Sequence, residues 1–332
     1  MSTPTVTRSA TGRLATRLTA AARGARLSTW TVAVLLLVAV VANAILQPTF
    51  FTSYSLTSNF ATFVPLVLIA LAQTVVVLTG GIDLAIGATV TLASVVAVVL
   101  MDGRPERLAL GVVAAVLVGV AAGTVNGLIV ARLRLQPIIA TFATASVFAG
   151  IALLVLPKPG GTVPGVLTRF YRDSVLGVPV GALLVVLVVA LWYLLVRTRL
   201  VRHIYAVGGD RDAAYASLVP VVRTQVGAYA LCGGIGGLAA VALLANTGSG
   251  DPFIGLELTL NSVAAVVIGG TALMGGRGSG VGSVLGAIIL SLIANVVFFA
   301  GISTNVRPLV SGLVIIGALA LSALTVRERS TR

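Results

Sequence analysis

The sequence predicts an all-α integral membrane protein of about ten transmembrane helices, organised as two inverted repeats over spans 2–5 and 7–10. Three observations carry that expectation. The 332 residues are 58% hydrophobic and 9% charged, with a mean hydropathy of +1.11, a composition suited to a bilayer rather than to an aqueous surface. Apolar runs of about 20 residues recur without the period-two alternation of a membrane barrel, so the spans should be helices that satisfy their own backbone hydrogen bonds. Residues 79–100, TGGIDLAIGATVTLASVVAVVL, return as 247–268, TGSGDPFIGLELTLNSVAAVVI, with 12 identities in 22 positions at a constant offset of 168. Val and Ala matches carry little weight in so apolar a chain, but the paired Thr79/Thr247, Gly80/Gly248, Asp83/Asp251, Gly87/Gly255, Thr91/Thr259 and Ser94/Ser262 do. Duplicated membrane halves point to a transporter.

Reading the apolar runs against Gly, Pro and charge breaks places spans at 29–47, 60–79, 84–101, 108–131, 138–156, 178–196, 223–246, 257–274, 280–301 and 306–325. Residues 1–28 form a basic tail holding Arg8, Arg13, Arg17, Arg23 and Arg26. The transmembrane domain covers 29–326, with a long inner loop at 197–222, and 327–332 form a second short tail. Ala42-Asn43-Ala44 imitates a signal-peptidase site, but the long tail and repeated spans favour a retained anchor. With both termini cytoplasmic, 16 of the 22 Lys and Arg residues fall on the inner side, as the positive-inside rule requires. The same distribution explains the net charge of +13 without a nucleic-acid partner, since the basic residues lie between apolar runs. Five spans separate the two repeat starts, so the second copy is inverted, with Asn126 and Asn295 in roughly corresponding places before Pro137 and Pro308.

Polar residues within the spans are the candidate pathway or helix-break positions. Gln73, Thr79, Gly80, Gly81, Asp83, Asn126, Gln136, Thr141, Asp251, Asn261 and Asn295 offer donors, acceptors or backbone freedom to a hydroxylated solute. Hydrogen bonding between helices is the competing role for the amides and hydroxyls. For Asp83 and Asp251 the alternatives are a coupling or path-lining carboxylate and a helix N-cap, Asp251-Pro252 reading as a cap followed by Pro at the first helical position. GGIGG at 233–237 and the Gly-rich stretch 269–283 suit close helix packing and tight turns.

The inner loop RTRLVRHIYAVGGDRDAAYASLVPVVR at 197–223 looks built to dock a partner. Asp210 or Asp212 can cap a short helix through Ala213, Ala214 and Ser217 before Pro220. The only histidine, His203, has no companions for metal binding or catalysis, and no metal site is expected. The only cysteine, Cys232, lies in an apolar run as a small packing residue. The only lysine, Lys158, belongs to no GxxxxGK[ST] sequence, so no ATP site is expected on this chain.

AQTVVVLTGGIDLAIG at 72–87, NGLIVARLRLQPIIAT at 126–141, YAVGGDRDAAYAS at 205–217 and LNSVAAVVIGGTALMGGRGSGVGSVLGA at 260–287 resemble the permease subunits of ribose-type, carbohydrate-import ABC transporters of bacteria. The resemblance runs from about residue 30 to 325, and GGIDLAIG is closer to the sugar branch than to the related branched-chain amino-acid permeases. It implies an importer subunit of the bacterial cytoplasmic membrane that carries a monosaccharide or polyol. Its coupling helix, over Gly208, Gly209, Asp210, Asp212, Ala213, Ala214 and Ser217, would enter a cytoplasmic ATPase. Relatives commonly have AxGxNxxAAxxSGI there; this chain has Asp210 in place of the Asn and Leu218 in place of the Gly. The implied partners are two ATPase subunits holding ATP and Mg, a second permease copy or paralogue, and an extracytoplasmic solute-binding protein meeting segments 157–177 and 246–256. This chain itself would bind no cofactor. The alternative is an ion-coupled secondary transporter of a small polar solute, using Asp83 and Asp251.

Overall fold

The computed structural model describes residues 31–301 together with Val306, Leu309, Gly312, Leu313 and Gly317. The basic tail 1–28, the tail 327–332 and most of the span expected at 306–325 lie outside the described residues. The elements follow the apolar runs closely. In order they are α1 (Thr31–Leu46), α2 (Ser53–Val77), α3 (Ile86–Met101), α4 (Leu108–Arg132) and α5 (Pro137–Val155). Next come α6 (Gly165–Tyr171), the hairpin β1 (Ser174–Val175) and β2 (Val178–Pro179), α7 (Val180–Val196), α8 (Arg199–Gly209) and α9 (Arg211–Ala216). The last are α10 (Val221–Thr247), α11 (Gly255–Ile268) and α12 (Gly280–Phe299). The protein is an all-α, multi-pass membrane protein with one short β-hairpin; five helices among the described residues are long and apolar enough to cross a bilayer by themselves.

Two helix starts follow the sequence offset: Ser53 plus 168 is Val221, the first residue of α10, and Ile86 plus 168 is Ile254, one residue before α11 begins. α10 packs mainly on α4 and α2, and meets α4 through Gly119, Gly123 and Gly127 of α4 and its own Gly233 and Gly237. A Cβ on Gly123 would stand 2.1 Å from the Tyr229 carbonyl oxygen, so only the missing side chain lets these backbones approach this closely.

α3 and α11 are short, about 24 and 21 Å at 1.5 Å per residue, against a hydrocarbon core of about 30 Å. Their first turns meet inside the bundle. Gly87 faces Gly255 so closely that a Cβ on Gly87 would stand 1.8 Å from the Gly255 carbonyl oxygen. The Gly87 N–H donates to Thr259 Oγ1 at 3.0 Å, while Ser94 and Ser262 make matching bonds to the Thr91 and Thr259 carbonyls. Gly87, Gly255 and Thr259, among the residues identical between the repeats, therefore lie where α3 meets α11. The non-helical segment 78–85 is a break in the first half, buried at Leu78, Thr79, Gly81, Asp83 and Ala85.

Candidate functional site

Segment 78–85 gathers polar side chains from four helices. The Asp83 carboxylate is 2% exposed. Its Oδ1 accepts from the Ala85 N–H at 2.8 Å and from Asn126 Nδ2 at 3.5 Å, and its Oδ2 lies 3.8 Å from the Cys232 thiol. The Gln73 amide, turned so that both its groups are satisfied, donates to the Asp83 carbonyl at 3.1 Å and accepts from its N–H at 3.3 Å. Thr141 Oγ1, on α5, accepts from the Leu84 N–H at 2.9 Å. Thr79 is bound locally, its hydroxyl donating to the Val76 carbonyl at 2.7 Å, and Gly80 takes φ +84°. Among the described residues, Asn126 Oδ1 and the Tyr229 hydroxyl are buried here with no hydrogen-bond partner.

Of the eleven candidate pathway positions, Gln73, Asp83, Asn126 and Thr141 come together with the Thr79–Gly81 turn. The others do not join them. Gln136 is exposed in the link before α5, and Asn295 Nδ2 donates to Asn59 Oδ1 at 2.9 Å between α12 and α2. Asn261 is half-buried on α11, one turn beyond the exposed Glu257, a position the sequence reading passed over. Asp251 is exposed, and the expected cap followed by Pro at the first helical position is not formed. α11 starts at Gly255, and Asp251 Oδ1 instead accepts from the Phe253 N–H at 2.9 Å in an Asx turn. Asp83 makes the same two-residue turn ahead of α3, where the N-cap position is Ala85. Cys232 packs as expected for a small residue, but against the carboxylate, a neighbour that an apolar run gives no means of anticipating.

At one end of the bundle the α7–α8 chain bends by 76°, and two helices replace the single short one expected, so Gly208 and Gly209 end α8 and do not belong to the helix that Asp210 caps. α8 buries Val201, Ile204 and Val207 and leaves Arg202 exposed, so it lies along the bundle by one apolar face. The Tyr205 hydroxyl donates to the Gly278 carbonyl at 2.9 Å, and burial raises this phenol above its ordinary pKa, keeping it a donor. Asp210 ends α8 and caps α9, its Oδ1 accepting from Asp212 N and Ala213 N at 3.0 Å each. Only Ala214 of α9 is buried; Tyr215 is 75% and Leu218 92% exposed. Leu218 also has φ +61°, a left-handed conformation natural to Gly and costly for Leu by about 1–2 kcal/mol.

At the opposite end, segments 157–177 and 246–256 are joined. Gly160 and Gly250 exchange backbone hydrogen bonds at 2.9 and 2.8 Å, and Arg172 Nη2 donates to the Asn246 carbonyl at 2.7 Å. Between them an open cavity of about 650 Å³ is lined by Thr168, Arg169, Arg172, Asp173 and Asn246 to Gly248.

A polar break buried among close-packed helices, with a surface helix at one end, suits a transport subunit. Residues 55–319 match the family described as the branched-chain amino acid transport system / permease component. The chain belongs to this family. It is a permease subunit of an ABC importer. It is 36% identical to the ribose import permease protein RbsC of Bacillus subtilis, over 86% of this chain and 90% of that protein. The D-allose transport system permease protein AlsC of Escherichia coli is 33% identical, over 84% and 86% of the two chains. The fructose import permease protein FrcC of Rhizobium meliloti is 34% identical, over 87% and 83%. No solved structure matches.

Proposed function

We propose that this permease carries a monosaccharide or related polyol across the bacterial cytoplasmic membrane, using ATP hydrolysed, with Mg, by partner ATPase subunits. The observation that carries the reading is the likeness, over most of the chain, to permeases whose names specify ribose, allose and fructose import. Both termini are cytoplasmic, and the loop 197–222 is the coupling segment. α9 projects from the bundle with Ala213, Tyr215, Ser217 and Leu218 exposed, an apolar and small-residue surface available to a cleft in the ATPase. The end formed by 157–177 and 246–256 meets a solute-binding protein. A second permease copy, or a paralogue, completes the path. Asp83 acts as the organiser of the helix break, since its carboxylate is buried among neutral donors and holds the turn into α3.

The test is uptake by cells that express this chain with its ATPase and binding protein, using labelled pentoses, hexoses and leucine. Saturable uptake of one sugar, unaffected by excess leucine, is expected; uptake of leucine alone would reject the substrate class. Glu at both Ala213 and Ala214 should abolish co-purification of the ATPase while leaving membrane insertion intact. Leu218→Gly should relieve about 1 kcal/mol of backbone strain, read as a higher melting temperature of the purified subunit.

A further inference from the structure

We propose that Gly208, the Leu78–Gly80 turn and Gly275–Gly276 form a rigid three-way joint that delivers displacement of α9 to both halves of the bundle at once. The inference rests on the coupling role given to α9 above and adds the residues through which that role would be exercised.

The joint begins with the absence of a linker. Asp210 serves both helices, its N–H donating to the Ala206 carbonyl in α8 at 3.2 Å while its carboxylate caps α9, so α9 cannot swing without α8. α8 then meets the bundle through backbone. A Cβ on Gly208 would stand 1.8 Å from the Leu78 carbonyl oxygen and 2.7 Å from the Gly276 nitrogen. The Leu78 carbonyl, at the end of α2, accepts from the Gly276 N–H at 3.1 Å. A Cβ on Gly275 would stand 2.6 Å from the Gly80 nitrogen, and one on Gly276 2.6 Å from Gly209 Cα. Gly80, Gly275 and Gly276 have φ of +84°, +88° and +67°, so other residues there would be strained as well as crowded. Tyr205 adds its hydroxyl bond to Gly278 one turn earlier on α8.

Side chains can absorb a small displacement by changing rotamer, whereas backbone in direct contact passes it on. The two receiving points differ in consequence. Leu78–Gly80 opens the break that runs through Asp83 to the start of α3, in the first half. Gly275–Gly276 lies in the link between α11 and α12, in the second half. A shift of α8 therefore reaches the helices on both sides of the Gly87–Gly255 contact, the arrangement required for a concerted rearrangement of packed elements.

Adjacent glycines supply the test and its control, because a Cβ on Gly209 would meet nothing within 4 Å. Wild type, Gly208→Ala and Gly209→Ala would be purified with ATPase and binding protein, reconstituted in proteoliposomes, and assayed for ATP hydrolysed per solute imported. A Cβ on Gly208 meets Leu78 and Gly276 backbone, so Gly208→Ala should lower the yield of assembled complex, and in the complex that forms that ratio should rise on the order of tenfold. Gly209→Ala should keep the wild-type ratio. A wild-type ratio in Gly208→Ala would overturn the joint, and so would an equal rise in both variants, which would reflect a general effect at the end of α8. If Gly208→Ala does not assemble, Tyr205→Phe, which adds no atom, carries the test: a raised ratio supports the joint and an unchanged one overturns it. Wild-type import that ignores ATP would instead reject the coupling role itself, and is measured before any variant is compared.

Discussion

In the first repeat Asp83 is buried, and its oxygens meet the Ala85 N–H, the Asn126 amide and the Cys232 thiol; in the second, Asp251 makes the same turn, to Phe253, and remains exposed. The offset of 168 takes Gln73, Asn126 and Thr141 to Val241, Ala294 and Leu309, and takes Cys232 back to Val64. At that strict offset each of these polar neighbours of Asp83 has an apolar counterpart, while Asn295, one residue beyond Ala294, bonds Asn59 on α2 instead. The turn thus meets a backbone requirement common to both halves, satisfying an N–H ahead of a short helix. Burial of the carboxylate is a separate feature that only the first half supports. Unpaired charge is costly in a low-dielectric interior, so the hydrogen-bonding groups around Asp83 are a condition for its burial there.

The comparison breaks first at the contact between the halves. Gly87→Val should prevent accumulation of folded protein, because its Cβ meets Gly255 backbone rather than a movable side chain, with an expected cost of about 3 kcal/mol or more. Size-exclusion chromatography of the detergent-extracted protein reads this directly. Asp83→Ala should destabilise by about 2 kcal/mol, since it leaves buried donors without their acceptor, and a lowered melting temperature in Trp fluorescence would record it. Asp83→Asn should cost about 1 kcal/mol or less and leave transport largely intact, because the amide oxygen can still accept from Ala85. Loss of transport in a normally folded Asp83→Asn protein would make the carboxylate a participant in transport. Asp251→Ala should change stability by about 0.5 kcal/mol at most; a loss as large as that of Asp83→Ala would erase the distinction between the halves.

Much of the architecture was legible because bilayers enforce simple rules. Apolar length located most of the helices, and the constant offset singled out Gly87 and Gly255 before their contact was known. Asp210 was legible as a cap because capping is local. Asp251 was misread for a related reason: Asp-Pro is compatible with a helix start, but the first turn of α11 is fixed by the approach of Gly255 to Gly87, 168 residues away in sequence. The second helix at 199–209 was missed because its apolar face is only three residues deep and sits among arginines. The meeting of Gln73, Asp83, Asn126, Thr141 and Cys232 could not be read from spacing, since they come from four helices and the break, and the thiol reads in sequence only as a packing residue. Leu218 shows the value of a departure from pattern: the left-handed φ explains why Gly suits that position, and what Leu costs there.

The most direct test of the account is sugar uptake by proteoliposomes holding this chain, its ATPase and its binding protein, with ATP inside or withheld, and with or without a protonophore. The account predicts uptake that requires ATP and the ATPase and persists when ion gradients are collapsed. Uptake by this chain alone that disappears with the gradient would contradict it and make the protein a secondary transporter.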